Sequence, residues 1–418
     1  MNKQLPIDVA SEVGELEGVI IHTPGAEVEN MTPSNAQRAL YSDILNLSVS
    51  QREYSQFKSV LKLISPTFEV QDLLTEILRN DFTREELVKK ICANEEALKI
   101  SEELTALTPE ELGRQLIEGV PHKRKTLTNY MSKEHYALRP LHNFFFTRDA
   151  SISMNNKIII SKMANKVRER ESMIMEAIFR HHRLFEAETL NPLQYPESEP
   201  GITLEGGDVL IAREDILLVG LGDRTTTQGI DFILSRLKKD KNRKHVIIQE
   251  LPDSPESFIH LDMVFTFLDT NTCMVYEPLI LTPNKYQTVH IEIDNGEVKS
   301  INSVKSIPEI LQELGMEVKT LICGGRKDIV TQEREQWHSG ANFFAVGPGK
   351  VIGYGRNVYT IEELNKDGFE ILKANDLIKG KVNVKDYSKY VITIEGSELS
   401  RGGGGARCMS MPVRRKRI

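Results

Sequence analysis

A chain of 418 residues, 40% hydrophobic and 27% charged, has an ordinary globular composition and enough length for a large core. Its net charge of −7, with both signs mixed along the chain, argues against a general nucleic-acid binder. No run approaches the ~20 apolar residues of a membrane span, MNKQLPIDVASEVGELEG at the start has no apolar signal segment, and Cys92, Cys273, Cys323 and Cys408 are too scattered for a CxxC pair, so reduced thiols in a cytosolic protein without a membrane partner are expected.

In chain order, LEGVIIHTPG (16–25) reads as a strand closed by a Pro-Gly turn. Residues 69–137 then read as an inserted helical unit, VQDLLTEILRN, TREELVKKICANEEALKISEEL and TPEELGRQLIEGV, with Thr83 and Thr108 as N-caps before Glu-rich first turns. From 138 onward short strands alternate with helices. ASISMNNKIIIS is strand, turn, strand, followed by the helix KVRERESMIMEAIF. GGDVLIAREDILLVGLG repeats the pattern before TTTQGIDFILSRLKK, MVFTFLDTNTCMVYEPLIL is a third unit, and NFFAVGPGKVIGYGR with TIEELNKDGFEIL a fourth. Divergent strand–strand–helix repeats predict an α/β domain over 1–68 and 138–418, closed or stacked. The basic run Arg414–Arg417 reads as a solvated tail.

Four places carry polar residues that core packing does not require. HNFFFTRDAS reads as an aromatic strand opened by Asn143 and closed by Arg148-Asp149; TLEGGDVLI sets Glu205 and Asp208 around two glycines. In FIHLDMVFTFLD, His260 and Asp262 flank Leu261 and fall on one face of a strand. In SRGGGGARCMSMP, Cys408 follows a glycine run whose backbone N–H groups lower a thiol's pKa. A thiol, an imidazole and four carboxylates suit nucleophilic catalysis on a cation: the thiolate attacks, His moves protons, carboxylates hold positive charge. Two aspartates match the fork of donors on a planar guanidinium.

With FTRD, KVRERE, LEGGD, GDRTTTQ, HLDMVFT, REQW and ARCMSMP in order, the chain resembles the arginine deiminases of the guanidino-group-modifying superfamily over essentially its whole length. The resemblance implies a five-bladed α/β propeller (the pentein fold) with an inserted helical bundle, and hydrolysis of L-arginine to L-citrulline and ammonia without metal or organic cofactor. It implies Cys408 as nucleophile on the guanidinium carbon and His260 as acid, then base. Glu205 holds His260, and Asp149 and Asp262 grip guanidinium nitrogens. Arg168 and Arg224 match arginines at the substrate carboxylate; Asn143 and Phe146 match residues along the substrate backbone, and Asp208 falls in the same site. Related enzymes imply a homo-oligomer.

The chain departs from the family pattern at Gly403, where many relatives carry an arginine that closes over the substrate carboxylate; Arg401 and Arg407 are the substitutes at hand. HSG at 338–340 is a milder departure. Other readings of the same residues are a deiminase or amidinotransferase for another guanidino compound, a silent arginine-binding scaffold, and a metal hydrolase using His260, Asp262, Glu205 and Asp208. Agmatine lacks the carboxylate that Arg168 and Arg224 would bind.

Overall fold

One strand pattern recurs through the chain. In the computed structural model, which describes residues 4–32, 43–123, 126–131, 134–195 and 200–418, five sheets of three or more strands share it. Each holds an antiparallel pair and a third strand parallel to one member. In the first, β1 (Leu16–Ile21) lies between β18 (Met411–Arg415), antiparallel, and β2 (Thr67–Glu69), parallel and reached through α1 (Leu47–Ile64). The second is the hairpin β3 (Ser151–Met154) and β4 (Lys157–Ile160), then α5 (Glu169–His181), then β5 (Glu188–Leu190). The third is β6 (Val209–Arg213), β7 (Ile216–Leu221), α6 (Thr227–Leu237) and β8 (Lys244–Glu250).

The fourth unit is interrupted. Its hairpin β9 (Phe265–Asp269) and β10 (Thr272–Val275) is followed by β11 (Thr288–Asp294) and β12 (Glu297–Val304), which leave to widen the third sheet. After α7 (Ile307–Glu313) the chain returns as β13 (Lys319–Ile322) beside β10. The fifth follows α8 (Ile329–Trp337): β14 (Phe344–Gly347), β15 (Lys350–Tyr354), α9 (Val358–Lys366), edge strand β16 (Glu370–Lys373) and β17 (Tyr390–Ile394).

Alternation decides which of two covered faces each side chain enters. In the third sheet Val246, Ile248, Ile291 and Ile293 face the Ile230, Ile233 and Leu234 stripe of α6. Val19, Ile20 and Ile21 of β1 are fully buried, each contributing about 1.5–3 kcal/mol by burial. Helices α2 (Val70–Leu78), α3 (Asp81–Asn94) and α4 (Pro109–Glu118) follow β2. Their apolar faces share a cluster with Ile20, Met175, Phe179 and Met411, so this helical stretch joins the core of the first two units. Residues 124–125 and 132–133, within the expected insertion 69–137, lie outside the described residues. Among those described, no helix is long and apolar enough to cross a membrane.

Three local expectations give way. Thr108 does cap α4, accepting from Glu111 N at 3.2 Å, but Asn80 rather than Thr83 caps α3, its amide oxygen taking the Thr83 N–H at 3.0 Å. The Asn80 cap starts the helix three residues earlier and leaves Thr83 inside its first turn. HNFFFTRD is two consecutive turns, with Phe146 N bonded to Asn143 O and Arg148 N to Cys408 O, both within 3.1 Å. The basic run is a solvated tail only at Lys416 and Arg417. Arg414 pairs with Glu17, Arg417 with Asp8 and Glu214, and Arg415 is buried, donating to Gly14 O and Ala345 O at 2.8 Å.

Gly229, in the first turn of α6, offers a test of the packing. Replacing Gly by Ala in an open helix gains up to ~1 kcal/mol. Here a Cβ would lie 2.0 Å from the Thr203 carbonyl oxygen. Gly229→Ala is therefore expected to destabilise by about 1–3 kcal/mol in urea unfolding; a gain would show that α6 can shift on its sheet.

Candidate active site

Four turns bring the predicted residues together, the fourth, at 406–409, carrying Cys408 ahead of β18. The turn at 143–149 carries Asp149, a 3-10 turn Gly206–Asp208 follows Glu205, and another, Leu261–Met263, follows His260. HLDM was expected to begin a strand with His260 and Asp262 on one face, but the strand starts at Phe265. The intervening turn, closed by Met263 N to His260 O, lets the two side chains diverge: His260 to Glu205, Asp262 to Cys408. Gly206 N bonds to Asp149 O, and the Asp208 carboxylate accepts from Leu261 N at 2.9 Å, so these turns brace one another. Asp208 thus supports the His260 turn from behind.

His260 Nε2 lies 3.0 Å from Glu205 Oε2, and Glu205 Oε1 accepts from Ala164 N at 3.0 Å. On its other side, His260 Nδ1 is 3.7 Å from Asp149 Oδ1. Both of these atoms are buried without a hydrogen-bond partner. Burial alone would push the His260 pKa down, but the carboxylates of Asp149, Asp208 and Glu205 outweigh it and raise it to about 9. Burial likewise favours a neutral Glu205, yet His260, with Arg224 and Arg168 behind it, lowers its pKa to about 2. The pair is an imidazolium and a carboxylate at neutral pH.

Cys408 is 3% exposed, its Sγ 3.7 Å and 3.8 Å from the Asp262 oxygens. The expected lowering of its pKa by backbone N–H groups is reversed. Burial first, then Asp262 and Asp149, push the thiol well up; the Gly405 backbone and Arg407 oppose them weakly. Burial likewise raises Asp262 against the pull of Arg407 and His260.

The glycine run is shaped by close approach as well as by freedom. A Cβ on Gly404 would sit 2.5 Å from the Phe146 ring, and one on Gly405 2.6 Å from Asn342 Oδ1. Gly403 has φ +82° and open space around it, a conformation an arginine would rarely adopt.

The predicted substrate-end residues divide. Asn143 and Phe146 are buried in the segment that carries Asp149, with the Phe146 ring against Gly404. Arg168 is buried and committed: Nη1 donates to Asp149 Oδ2 at 2.8 Å, while Nε and Nη2 grip Glu171, the i,i+3 partner. Arg224 Nη1 reaches within 3.8 Å of Glu205. Arg401 turns to the surface, bonded to Asp43 and to Glu398, so the glycine loop does not aim it at the thiol. Arg407 instead lies under the site, bonded to Glu12 at 2.9 Å, Asp262 at 2.8 Å and Val209 O.

Sequence reasoning missed Glu12, Arg148 and Asn342. Arg148 Nε donates to Arg407 O, and Asn342 contacts both the backbone and the sulfur of Cys408. Arg148 is itself the arginine of FTRD, next to Asp149; nothing in ASEVG marks Glu12. Ligand atoms of Asp149, Glu205 and His260 lie within 4.8 Å of one another, a spacing that would also admit a metal ion. A resident imidazolium is the poorer ligand, since only neutral imidazole binds metal.

A buried thiol and a His–Glu pair between carboxylates can attack and hold a planar cation. The fold is shared with solved structures. It resembles an amidinotransferase, SxtG of Microseira wollei (TM-score 0.54, 13% identity, 99% of this chain and 98% of that one). It also resembles the N-terminal domain of ArgZ, an arginine dihydrolase from Cyanobacteria (TM-score 0.53, 13% identity, 95% and 98%). In sequence the match is closer: the arginine deiminase family profile covers residues 37–415, and an arginine deiminase of Bacillus cereus is 34% identical over 99% of both chains. The chain belongs to the arginine deiminase family.

The raised pKa of His260 makes a stability prediction. A group raised from 6.5 to about 9 on folding stabilises fully below pH 6.5, and its contribution is lost as pH climbs through about 9. Thermal midpoints measured from pH 7 to 9.5 should fall more steeply for the native protein than for His260→Gln. Parallel curves would mean that His260 is not held as an imidazolium.

Proposed function

We propose that this chain hydrolyses L-arginine to L-citrulline and ammonia, acting on the C–N bond of a linear amidine through a covalent intermediate on Cys408. What carries the reading is a full-length family match joined to a buried cluster in which Asp149 Oδ1 and His260 Nδ1 have no hydrogen-bond partner, with the thiol beside Asp262. The substrate guanidinium lies between Asp149 and Asp262 and donates to their oxygens. Its charge cancels the field that keeps the thiol protonated, and the proton passes to water. The sulfur lone pair then bonds to the guanidinium carbon.

The adduct collapses by breaking one C–N bond while the His260 imidazolium gives its proton to the departing nitrogen, which leaves as ammonia. Neutral His260 takes a proton from water as the water oxygen attacks the amidino carbon. The C–S bond breaks with its electron pair returning to sulfur, and the remaining hydroxyl proton restores the thiol as the ureido carbonyl forms. Glu205 steadies the imidazolium throughout. Arg224 and Arg168 receive the substrate carboxylate, Arg168 exchanging part of its bond to Glu171 for it, and Asn143 and Phe146 line the backbone of the amino acid.

The architecture proposed for this chemistry is a five-bladed propeller over 1–68 and 138–418, with 69–137 as a helical insertion. Among the described residues, five strand trios of one pattern, the first completed by β18 from the far end of the sequence, support it.

Cys408→Ala should lower turnover more than about 10³-fold while still binding arginine. In the native enzyme, acid quench during turnover should leave an amidino adduct on the Cys408 peptide, and His260→Ala should let that adduct accumulate. Substantial citrulline formation by Cys408→Ala would sink the covalent route; loss of native turnover in chelator, restored by a divalent metal, would favour the metal reading. Agmatine should be a poor substrate, having no carboxylate for Arg168 and Arg224.

The need for a cation to ionise the thiol has its own readout. At pH 7 a cationic haloacetamidine should inactivate the enzyme much faster than a neutral haloacetamide, with arginine protecting. Equal rates, corrected for intrinsic reactivity, would show that the thiol ionises without help.

A further inference from the structure

Asn342 sits just before β14 and is 1% exposed. Its Oδ1 accepts from Arg407 N at 2.9 Å and from Cys408 N at 3.3 Å. Its Nδ2 donates to the Asp262 carbonyl at 3.1 Å and reaches Cys408 Sγ at 3.2 Å. These partners remove the usual ambiguity between amide oxygen and nitrogen. Backbone N–H groups only donate and a carbonyl only accepts, so the amide cannot be turned over. The group facing the sulfur is therefore an N–H donor, and Gly405 is bare enough to let it approach. The Asp262 oxygens, also close to Sγ, are acceptors that disfavour a thiolate.

We propose that Asn342 is a further catalytic residue, whose side-chain N–H bonds to the sulfur of Cys408 as thiolate in attack and as leaving group in hydrolysis, while its oxygen holds the backbone that aims the sulfur. The inference rests on Cys408 being the nucleophile. Asn342 transfers no proton and no electrons. Its bond is weakest to the neutral thioether and strongest to the charged sulfur at either end of the cycle, so it lowers the barriers on both sides of the intermediate. It also turns the nucleophile away from dependence on the substrate's charge alone.

The test compares Asn342→Ala, which removes the donor without adding charge, and Asn342→Asp, which keeps an acceptor for the two backbone N–H groups. Iodoacetamide alkylation of the Cys408 peptide is followed against pH, alongside arginine kinetics. The expected result is an alkylation midpoint raised by about one unit or more in both variants, and kcat reduced on the order of 10- to 100-fold with KM within about threefold. An unshifted midpoint in Asn342→Ala, or recovery of native kcat in Asn342→Asp, would overturn the proposal and leave a purely structural clamp.

Should the variants not fold, the native enzyme labelled with 15N-asparagine supplies the answer. One side-chain NH2 pair should titrate with the Cys408 alkylation midpoint and move on alkylation; the absence of any such pair overturns the proposal. Cys408→Ala separates the two layers. Turnover surviving in it removes the nucleophile itself, whereas turnover lost there with an unshifted Asn342→Ala midpoint removes only Asn342.

Discussion

The pairing of Met411–Arg415 with Leu16–Ile21 is the constraint on which the rest of the molecule depends. It joins the two ends of the described chain in one sheet, Leu16 opposite Arg415 and Ile20 opposite Met411. Cys408 lies three residues ahead of that strand, so the register of β18 sets where the sulfur stands. A slip of one residue would turn every side chain of β18 to the other face and would move the thiol away from Asp262. Arg415 makes such a slip costly, since its buried guanidinium is seated on Gly14 O, Ala345 O and the Phe344 ring. Removing one partner of a buried charge commonly costs 3–5 kcal/mol.

From this anchor the site is built inward by charge. Glu12, Arg407 and Asp262 form a buried chain of alternating sign, and Arg168 does the same between Glu171 and Asp149. Each aspartate proposed to hold substrate therefore already leans on an arginine from behind. That arrangement offsets part of the negative charge of two buried carboxylates, and it leaves Asp149 Oδ1 without a hydrogen-bond partner, 3.7 Å from His260 Nδ1.

The hairpins and helices were legible from short apolar runs and turn residues because β3–β4, β6–β7, β9–β10 and β14–β15 are buried at nearly every position. The excursion of β11 and β12 into a neighbouring sheet was not legible, since pairing partners leave no local mark. The acid and base residues stood out as polar groups where apolar ones belong. Their directions did not: HLDM and HNFFFTRD read as strands by composition, yet buried polar contacts hold them as turns. The reversed pKa of Cys408 follows first from burial and then from Asp262 and Asp149 arriving from distant segments, none of which SRGGGGARC alone can supply. Arg401 was misjudged for a related reason, because its partner Asp43 lies 358 residues away. Glu12 and Asn342 escaped notice because each acts through contacts with residues far along the chain.

The paired carboxylates have one more consequence, for how a turnover ends. On the proposed reaction a guanidinium enters and a ureido group remains. The first carries a charge that offsets Asp149 and Asp262; the second carries none. Once the C–S bond has broken, the site again holds uncompensated negative charge, and the molecule left inside no longer relieves it. Discrimination between what should stay and what should go thus comes from the change in charge that the chemistry itself produces, with no separate gate needed to expel citrulline.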